Sequence, residues 1–174
     1  DIKGSIPNNV THLIFGRCFN QNIIGAIPNK VTHLILSDLF EQDITGAIPT
    51  SVTHLTLQID STNVIYMRSL VTYLGTLDNV HTLDLSYTKI TNVSALDNVH
   101  TLNLSRTNVT NVSALCNVHT LNLSHTKVFD VSALGNVHTL DLSCTNVTDV
   151  SALGNVYTLD LSCTNVTDVS ALGN

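Results

Sequence analysis

Histidine is the residue type with the most obvious chemical potential in this sequence, because seven of the eight histidines recur at fixed intervals. They form two series with different periods: His12, His33 and His54, then His81, His100, His119 and His138. On neighbouring strands the rings of the first series would stack about 4.8 Å apart, and such a row could hold a transition metal, whereas the second series lies one residue earlier and should flank the strand. The row is one-sided, however, and lacks the Asp or Cys partners and closed geometry of metal sites. Tyr157 takes the place of a fifth histidine, which favours ring stacking, so we predict no metal and no other cofactor.

Cysteine is the second candidate, with four residues in the chain. Cys144 and Cys163 are equivalent positions of consecutive repeats, so their Cα atoms should lie about 5 Å apart, within disulfide range. Parallel side chains in one rotamer do not easily present the disulfide dihedral, and Cys18 and Cys116 have no evident partner. The cysteine pattern therefore favours reduced thiols and an intracellular location over a secreted one.

An internal repeat of nineteen residues positions these side chains. Residues 136–154 read NVHTLDLSCTNVTDVSALG, and residues 155–173 repeat them with Tyr157 in place of His138. Three earlier units begin at Asn79, Asn98 and Asn117. Self-similarity at a fixed period near twenty residues is typical of a solenoid, whose coils bury their apolar side chains against neighbouring coils.

Each nineteen-residue unit carries six apolar positions. In the first unit they are Val80, Leu83, Leu85, Ile90, Val93 and Leu96. The two leucines alternate as in a strand, whereas the later residues recur at every third position, as in an extended or 3₁₀-like segment. Each coil is therefore predicted to contain a short strand, a turn and an irregular return.

The first third of the chain has a related repeat with a slightly longer unit. The strings IPNNVTHLIF, IPNKVTHLIL and IPTSVTHLTL begin at Ile6, Ile27 and Ile48. A proline just ahead of each strand suits a coil corner, where its fixed φ and missing donor are tolerated. Strands are thus predicted in this part too.

A longer unit connects the two repeat types, because the spacing from Val52 to Val80 exceeds the period of either type. Its apolar residues Ile65, Leu70, Val71 and Leu74 predict a helix of one to two turns within 64–74, on the convex side. We expect this segment to join both repeat types in one stack. A domain boundary is the alternative, although no linker-like composition interrupts the segment.

The nineteen-residue units resemble leucine-rich repeats, whose core reads L-x-x-L-x-L-x-x-N, with Val80, Leu83 and Leu85 in the apolar places. They depart from that pattern at the Asn position, which is Thr88, Thr107, Thr126, Thr145 and Thr164. In the family this Asn forms a buried hydrogen-bonded ladder along the stack. The resemblance implies a threonine ladder here, since a hydroxyl can also donate and accept.

The longer units of the first third resemble the FNIP repeat, a relative of the leucine-rich repeat. The resemblance rests on Phe19-Asn20 followed by Ile27-Pro28 and VTHL, and the second unit departs from it with Phe40-Glu41. Such repeats are known from social amoebae and from giant DNA viruses that infect amoebae. FNIP-bearing proteins often carry an F-box, but no F-box is visible in this sequence.

The predicted fold is a mostly β solenoid of the α/β type, a leucine-rich-repeat stack with an irregular or 3₁₀ convex side and one short helix near 64–74. One parallel sheet should contain eight short strands centred on 12–15, 33–36, 54–57, 82–85, 101–104, 120–123, 139–142 and 158–161. We predict a single solenoid over 1–174, with FNIP-like repeats at 1–57, a transitional repeat at 58–79 and nineteen-residue repeats at 80–174. Both ends fall inside a repeat unit, which indicates a piece of a longer protein.

Several functional classes are disfavoured by composition. Every polar residue recurs with the repeat, so no nucleophile with a base or pair of catalytic carboxylates stands out, and we predict a non-enzymatic protein. The formal net charge of −6 and only seven basic residues disfavour nucleic acid. The chain has no apolar run of the length that spans a membrane.

The predicted function is a protein-protein interaction scaffold, the usual role of extended solenoid surfaces. The outward strand positions and the variable place after each strand are the predicted partner-binding residues: Asp84, Tyr87, Asn103, Arg106, Asn122, His125, Asp141 and Asp160. The alternative is a structural component of a giant-virus particle or cell surface, with end-to-end or edge contacts in an assembly. An intracellular or virion-associated location fits either role better than secretion.

Overall fold

The computed structural model describes residues 2–59 and 64–173 as a solenoid with one eight-stranded parallel sheet, whose strands follow chain order. The strands are β1 (His12–Ile14), β2 (His33–Asp38), β3 (His54–Ile59), β4 (Thr82–Asp84), β5 (Thr101–Asn103), β6 (Thr120–Asn122), β7 (Thr139–Asp141) and β8 (Thr158–Asp160). All seven pairings are parallel and in register between equivalent residues. The predicted mostly β fold and its eight strand positions are confirmed.

A column of leucines forms the centre of the core. Leu83, Leu102, Leu121 and Leu140 lie opposite one another on neighbouring strands and are each 1% exposed. Leu159 continues the column and is half-buried. Because strand side chains alternate between faces, this register points the flanking residues of each strand outward.

The side opposite the sheet contains short irregular returns and one helix. Single 3₁₀ turns occur at Ser151–Leu153 and Ser170–Leu172, in agreement with the predicted 3₁₀ character. The helix α1 (Val64–Leu74) lies between β3 and β4 and buries Leu70, Val71 and Leu74. It has 11 residues, about three turns, so the prediction of one to two turns was too short.

Two features used in the sequence analysis lie outside the described part of the chain. These are Asn174, from which we argued that the chain ends inside a repeat, and the side chain of Ile65 in the helix pattern. Within the described residues no helix is long and apolar enough to span a membrane.

The threonine after each strand does not form the predicted ladder between coils. The hydroxyl of Thr126 donates to the carbonyl of Leu123, three residues earlier in the same coil, at 2.6 Å. The same bond, at 2.6–2.7 Å, is made by Thr88, Thr107, Thr145 and Thr164. The threonine side chain is too short for its hydroxyl to reach the next coil, whereas a carbonyl of the same turn lies beside it. Each threonine therefore closes the turn after its strand.

Candidate functional site

The first ring stack, which we call the N-terminal stack, consists of His12, His33 and His54 on β1 to β3. Successive ring centroids are 4.1 Å apart, with interplanar angles of 14° and 12°. Each Nδ1 lies 2.9–3.0 Å from the hydroxyl of the threonine just before it in the chain. That contact orients every ring alike, so the rings stack face to face.

The second ring stack, the C-terminal stack, consists of His100, His119, His138 and Tyr157. Its centroids are 4.6, 4.6 and 4.9 Å apart. Each imidazole Nδ1 lies 3.3 Å from the hydroxyl of the threonine that follows it. The tyrosine continues the stack as predicted, whereas His81, the first histidine of this series, places its Nδ1 2.9 Å from the carbonyl of Asn79 instead.

Stacking alters the proton affinity of the middle histidine in each stack. The pKa of His33 is lowered first by desolvation and then by the charges of His54 and His12. The pKa of His119 is lowered by desolvation and by its neighbours His100 and His138. Both middle rings therefore favour the neutral form. In the described part of the chain, no group of three or more His, Cys, Asp or Glu side chains is arranged to hold a metal ion.

A third column, which we call the post-strand column, consists of Tyr87, Arg106, His125, Cys144 and Cys163. These are the non-glycine residues with positive φ in the described chain, at 56–63°. This left-handed conformation costs about 1–2 kcal/mol for an ordinary residue. A backbone hydrogen bond offsets part of this cost. The amides of the first four residues of the column each donate to the carbonyl of a serine in the next coil, at 2.8–3.0 Å.

The first three side chains of the post-strand column contact one another on the surface. The guanidinium carbon of Arg106 lies 5.5 Å from the ring centroid of Tyr87, in cation–π range. Its Nη2 lies 3.3 Å from Nε2 of His125. Tyr87 is 59% exposed despite its size. The structure thus joins three of the predicted partner-binding residues into one exposed group.

The other predicted partner-binding residues lie at the ends of the strands and have a structural role as well. Each uses Oδ1 to accept the amide of the serine two residues later, at 2.8–3.0 Å: Asp84, Asn103, Asn122, Asp141 and Asp160. For Asp160, the bonds from Ser162 lower the pKa of the carboxyl. We took Asn122 to be exposed, but it is half-buried and shapes the turn before the post-strand column.

Sequence reasoning missed the Asx turns at the strand ends, although a signal for them was present. Asp or Asn two residues before a serine is typical of an Asx turn, and the string occurs at the end of each nineteen-residue strand. The same motif recurs on the return segments, where the Oδ1 atoms of Asn92, Asn111, Asp130, Asp149 and Asp168 accept serine amides.

A cleft lies on the return side, away from the sheet. It has a volume of about 370 Å³ and is lined by residues that include Thr110, Asn111, Phe129 and Asp130. Phe129 is 65% exposed there. The carboxylate of Asp130 accepts the amide of Ser132, and the hydroxyls of Thr110, Ser113 and Ser132 also line the cleft. The cleft therefore presents an exposed aromatic ring beside polar side chains.

Comparison with protein-family models places FNIP repeats in the first third of the chain. The FNIP repeat model matches residues 2–39 and 19–59. No curated protein matches the sequence significantly.

Solved structures share the fold. Internalin C2 from Listeria monocytogenes aligns with 27% identity and a TM-score of 0.59, over 78% of this chain and 62% of that one. The leucine-rich repeat domain of APL1B aligns with 15% identity and a TM-score of 0.60, over 96% of this chain and 56% of that one. A chain of the LRIM1/APL1C complex aligns with 17% identity and a TM-score of 0.56, over 87% of this chain and 30% of that one. The chain thus spans less than two thirds of each of these structures.

Proposed function

We propose that this chain, whose first third matches the FNIP repeat model and whose fold is that of leucine-rich-repeat structures, is a non-enzymatic scaffold that binds a protein partner. The observation that carries this proposal is the exposed group of Tyr87, Arg106 and His125 in the post-strand column. Tyr and Arg are the residue types that most often dominate binding energy at interfaces. Here both are exposed and already held against each other, so little side-chain entropy would be lost on binding.

The surroundings of this group favour a protein surface as its partner. The strand ends beside it present Asp84, Asn103 and Asn122, half-buried and fixed in Asx turns. A rigid polar rim around an aromatic and arginine centre is the usual anatomy of a protein interface. The net charge of −6 disfavours nucleic acid as the partner. A neighbour of the same fold is described as part of the LRIM1/APL1C complex, which supports the proposal by analogy of fold.

The partner can be captured with a photo-crosslinking phenylalanine analogue. It would be placed at position 87 and, as a matched control on the return side, at position 129, which is also a large exposed aromatic residue. We expect the same crosslinked protein only from position 87. Capture only from position 129 would move the binding surface to the return-side cleft.

Affinity measurements then test the assigned residues. The double variant Tyr87→Ala, Arg106→Ala should weaken binding by at least about 1–2 kcal/mol, roughly 5- to 30-fold, with an unchanged unfolding midpoint. Phe129→Ala should leave affinity unchanged. An unaltered affinity in the double variant would refute the assignment.

A second candidate is a structural component of a giant-virus particle or cell surface. The near-identity of residues 136–154 and 155–173 favours it, since identical coils make a regular rod. This role predicts end-to-end or edge association of the purified chain, visible as concentration-dependent sedimentation. A monomer at all concentrations that still captures a partner at position 87 would favour the scaffold.

A further inference from the structure

Cys144 and Cys163 occupy the same place in adjacent coils, at the end of the post-strand column. The register of β7 and β8 sets them opposite each other, with Asp141 paired to Asp160 three residues earlier. The amide of Cys144 donates to the carbonyl of Ser162 at 2.8 Å, so this register persists beyond the strands. Neighbouring strands lie about 4.8 Å apart, which places the two Cα atoms within the disulfide range of about 4.4–6.8 Å.

The two thiols are close enough to affect each other's proton affinity, and both are accessible. A hydrogen bond that the Cys144 thiol donates to the Cys163 sulfur is the main cause of the raised pKa of Cys144, because it favours the protonated thiol. Cys163 is exposed and Cys144 is partly exposed. From the sequence we argued that parallel rotamers oppose a disulfide. On this open surface, however, one side chain can move to another staggered rotamer without displacing packed neighbours.

We propose that Cys144 and Cys163 form a reversible dithiol–disulfide pair that links two adjacent coils and is oxidised by small-molecule disulfides. The thiolate of the more exposed Cys163 attacks one sulfur of the small disulfide and forms a mixed disulfide, and one small thiolate leaves. The thiolate of Cys144 then attacks the Cys163 sulfur and displaces the second small thiolate. The protein loses two electrons and two protons as its disulfide forms, and the small disulfide is reduced to two thiols.

The remaining two cysteines provide an internal control. Cys18 follows β1, and Cys116 lies on a return segment between β5 and β6. Both are free thiols, as are Cys144 and Cys163. Neither occupies the post-strand column, where equivalent residues of adjacent coils meet. They should therefore react with a small disulfide without forming an internal link.

Peptide mapping of the full chain tests the pair directly. The reduced protein would be incubated with oxidised glutathione, alkylated to block the remaining thiols, and cut after Lys127, which leaves Cys144 and Cys163 on one peptide without further lysine or arginine. We expect this peptide to lose two hydrogens and to gain neither an alkyl group nor glutathione. Cleavage after Tyr157 should then leave its two halves linked until a reductant is added.

Single variants separate this pair from general thiol oxidation. Cys144→Ser and Cys163→Ser should each leave one glutathione adduct on the partner cysteine and no internal disulfide. The double variant Cys18→Ser, Cys116→Ser should form the link as the wild type does. The proposal is overturned if the wild-type peptide carries two alkyl groups or two glutathiones, or if its halves are joined only between different molecules. The wild-type map decides this even if a variant fails to fold.

Discussion

His54 lies opposite Thr82 in the sheet. The longer repeat has the order threonine then histidine, as in Thr53-His54, whereas the nineteen-residue repeat has histidine then threonine, as in His81-Thr82. The amide of His81 correspondingly donates to the carbonyl of Thr53 at 3.0 Å. The imidazoles of both ring stacks keep contact with the hydroxyl of the adjacent threonine, whereas Nδ1 of His81, at the junction, lies 2.9 Å from the carbonyl of Asn79. The change of order therefore moves the histidines into a neighbouring column at the junction of β3 and β4. Two separate ring stacks result.

The ring stacks predict that the protein loses stability in mild acid. Since folding lowers the pKa of His33 and His119 below 6.5, the folded state favours their neutral forms. Their contribution to stability is complete above the unfolded pKa and is lost as the pH falls through the folded pKa. The thermal unfolding midpoint should therefore be level between about pH 8 and 7 and fall between about pH 6.5 and 5.

A ring without a titrating nitrogen provides the control for this effect. His119→Tyr should keep the C-terminal stack, because Tyr157 already stacks on His138 in the same column. It should also reduce the fall in the midpoint between pH 6.5 and 5. A midpoint that does not change over this range in the wild type would contradict the prediction.

The leucine column predicts a large loss of stability from truncation. Leu121 is 1% exposed, between Leu102 and Leu140 on the adjacent strands. We expect Leu121→Ala to lower the free energy of unfolding by about 2–5 kcal/mol, since it removes buried contacts and leaves a cavity. Urea denaturation measures this value. A loss below about 1 kcal/mol would mean that the column is not the centre of the core.

The Asx turn predicts a smaller but measurable role for the next residue. Asn122 was predicted to be an outward strand position, which alone would let alanine replace it at little cost, but its Oδ1 accepts the amide of Ser124 at 2.8 Å. We now expect a loss of about 1 kcal/mol in the free energy of unfolding. Asn122→Asp keeps the acceptor, as Asp141 does in the next coil, and should fold nearly as stably at pH 7. Equal losses in both variants would rule out the turn as the cause.

The periodic features of this fold were predictable from sequence, whereas the threonine bonds and the left-handed conformation of the turns were not. A leucine equivalent to Leu83 recurs in every nineteen-residue unit and defines a buried column, because shifting the strand register by one residue would expose every one of these leucines. The recurrence of histidine at equivalent positions of successive repeats likewise predicted ring stacking. The bond of Thr126 within its own coil depends on the reach of one hydroxyl, which repeat spacing does not report. The positive φ of Tyr87 was hidden because neither glycine nor asparagine marks that position.

The left-handed turns lead to a prediction about backbone conformation. His125 has a φ of 56°, which a β-branched residue adopts only under strain. His125→Val should therefore lower the free energy of unfolding by about 1–2 kcal/mol. His125→Gly should be neutral or stabilising by up to about 1 kcal/mol, because glycine relieves the strain but loses more chain entropy on folding. The exposed contact of His125 with Arg106 adds little to either value.

Lys127→Val provides the control for β-branching alone, because Lys127 is exposed and has no positive φ. It should change stability by less than about 0.5 kcal/mol. The variants would be compared by urea denaturation, and equal stability of the valine and glycine variants at position 125 would show that this turn is not held in the left-handed conformation.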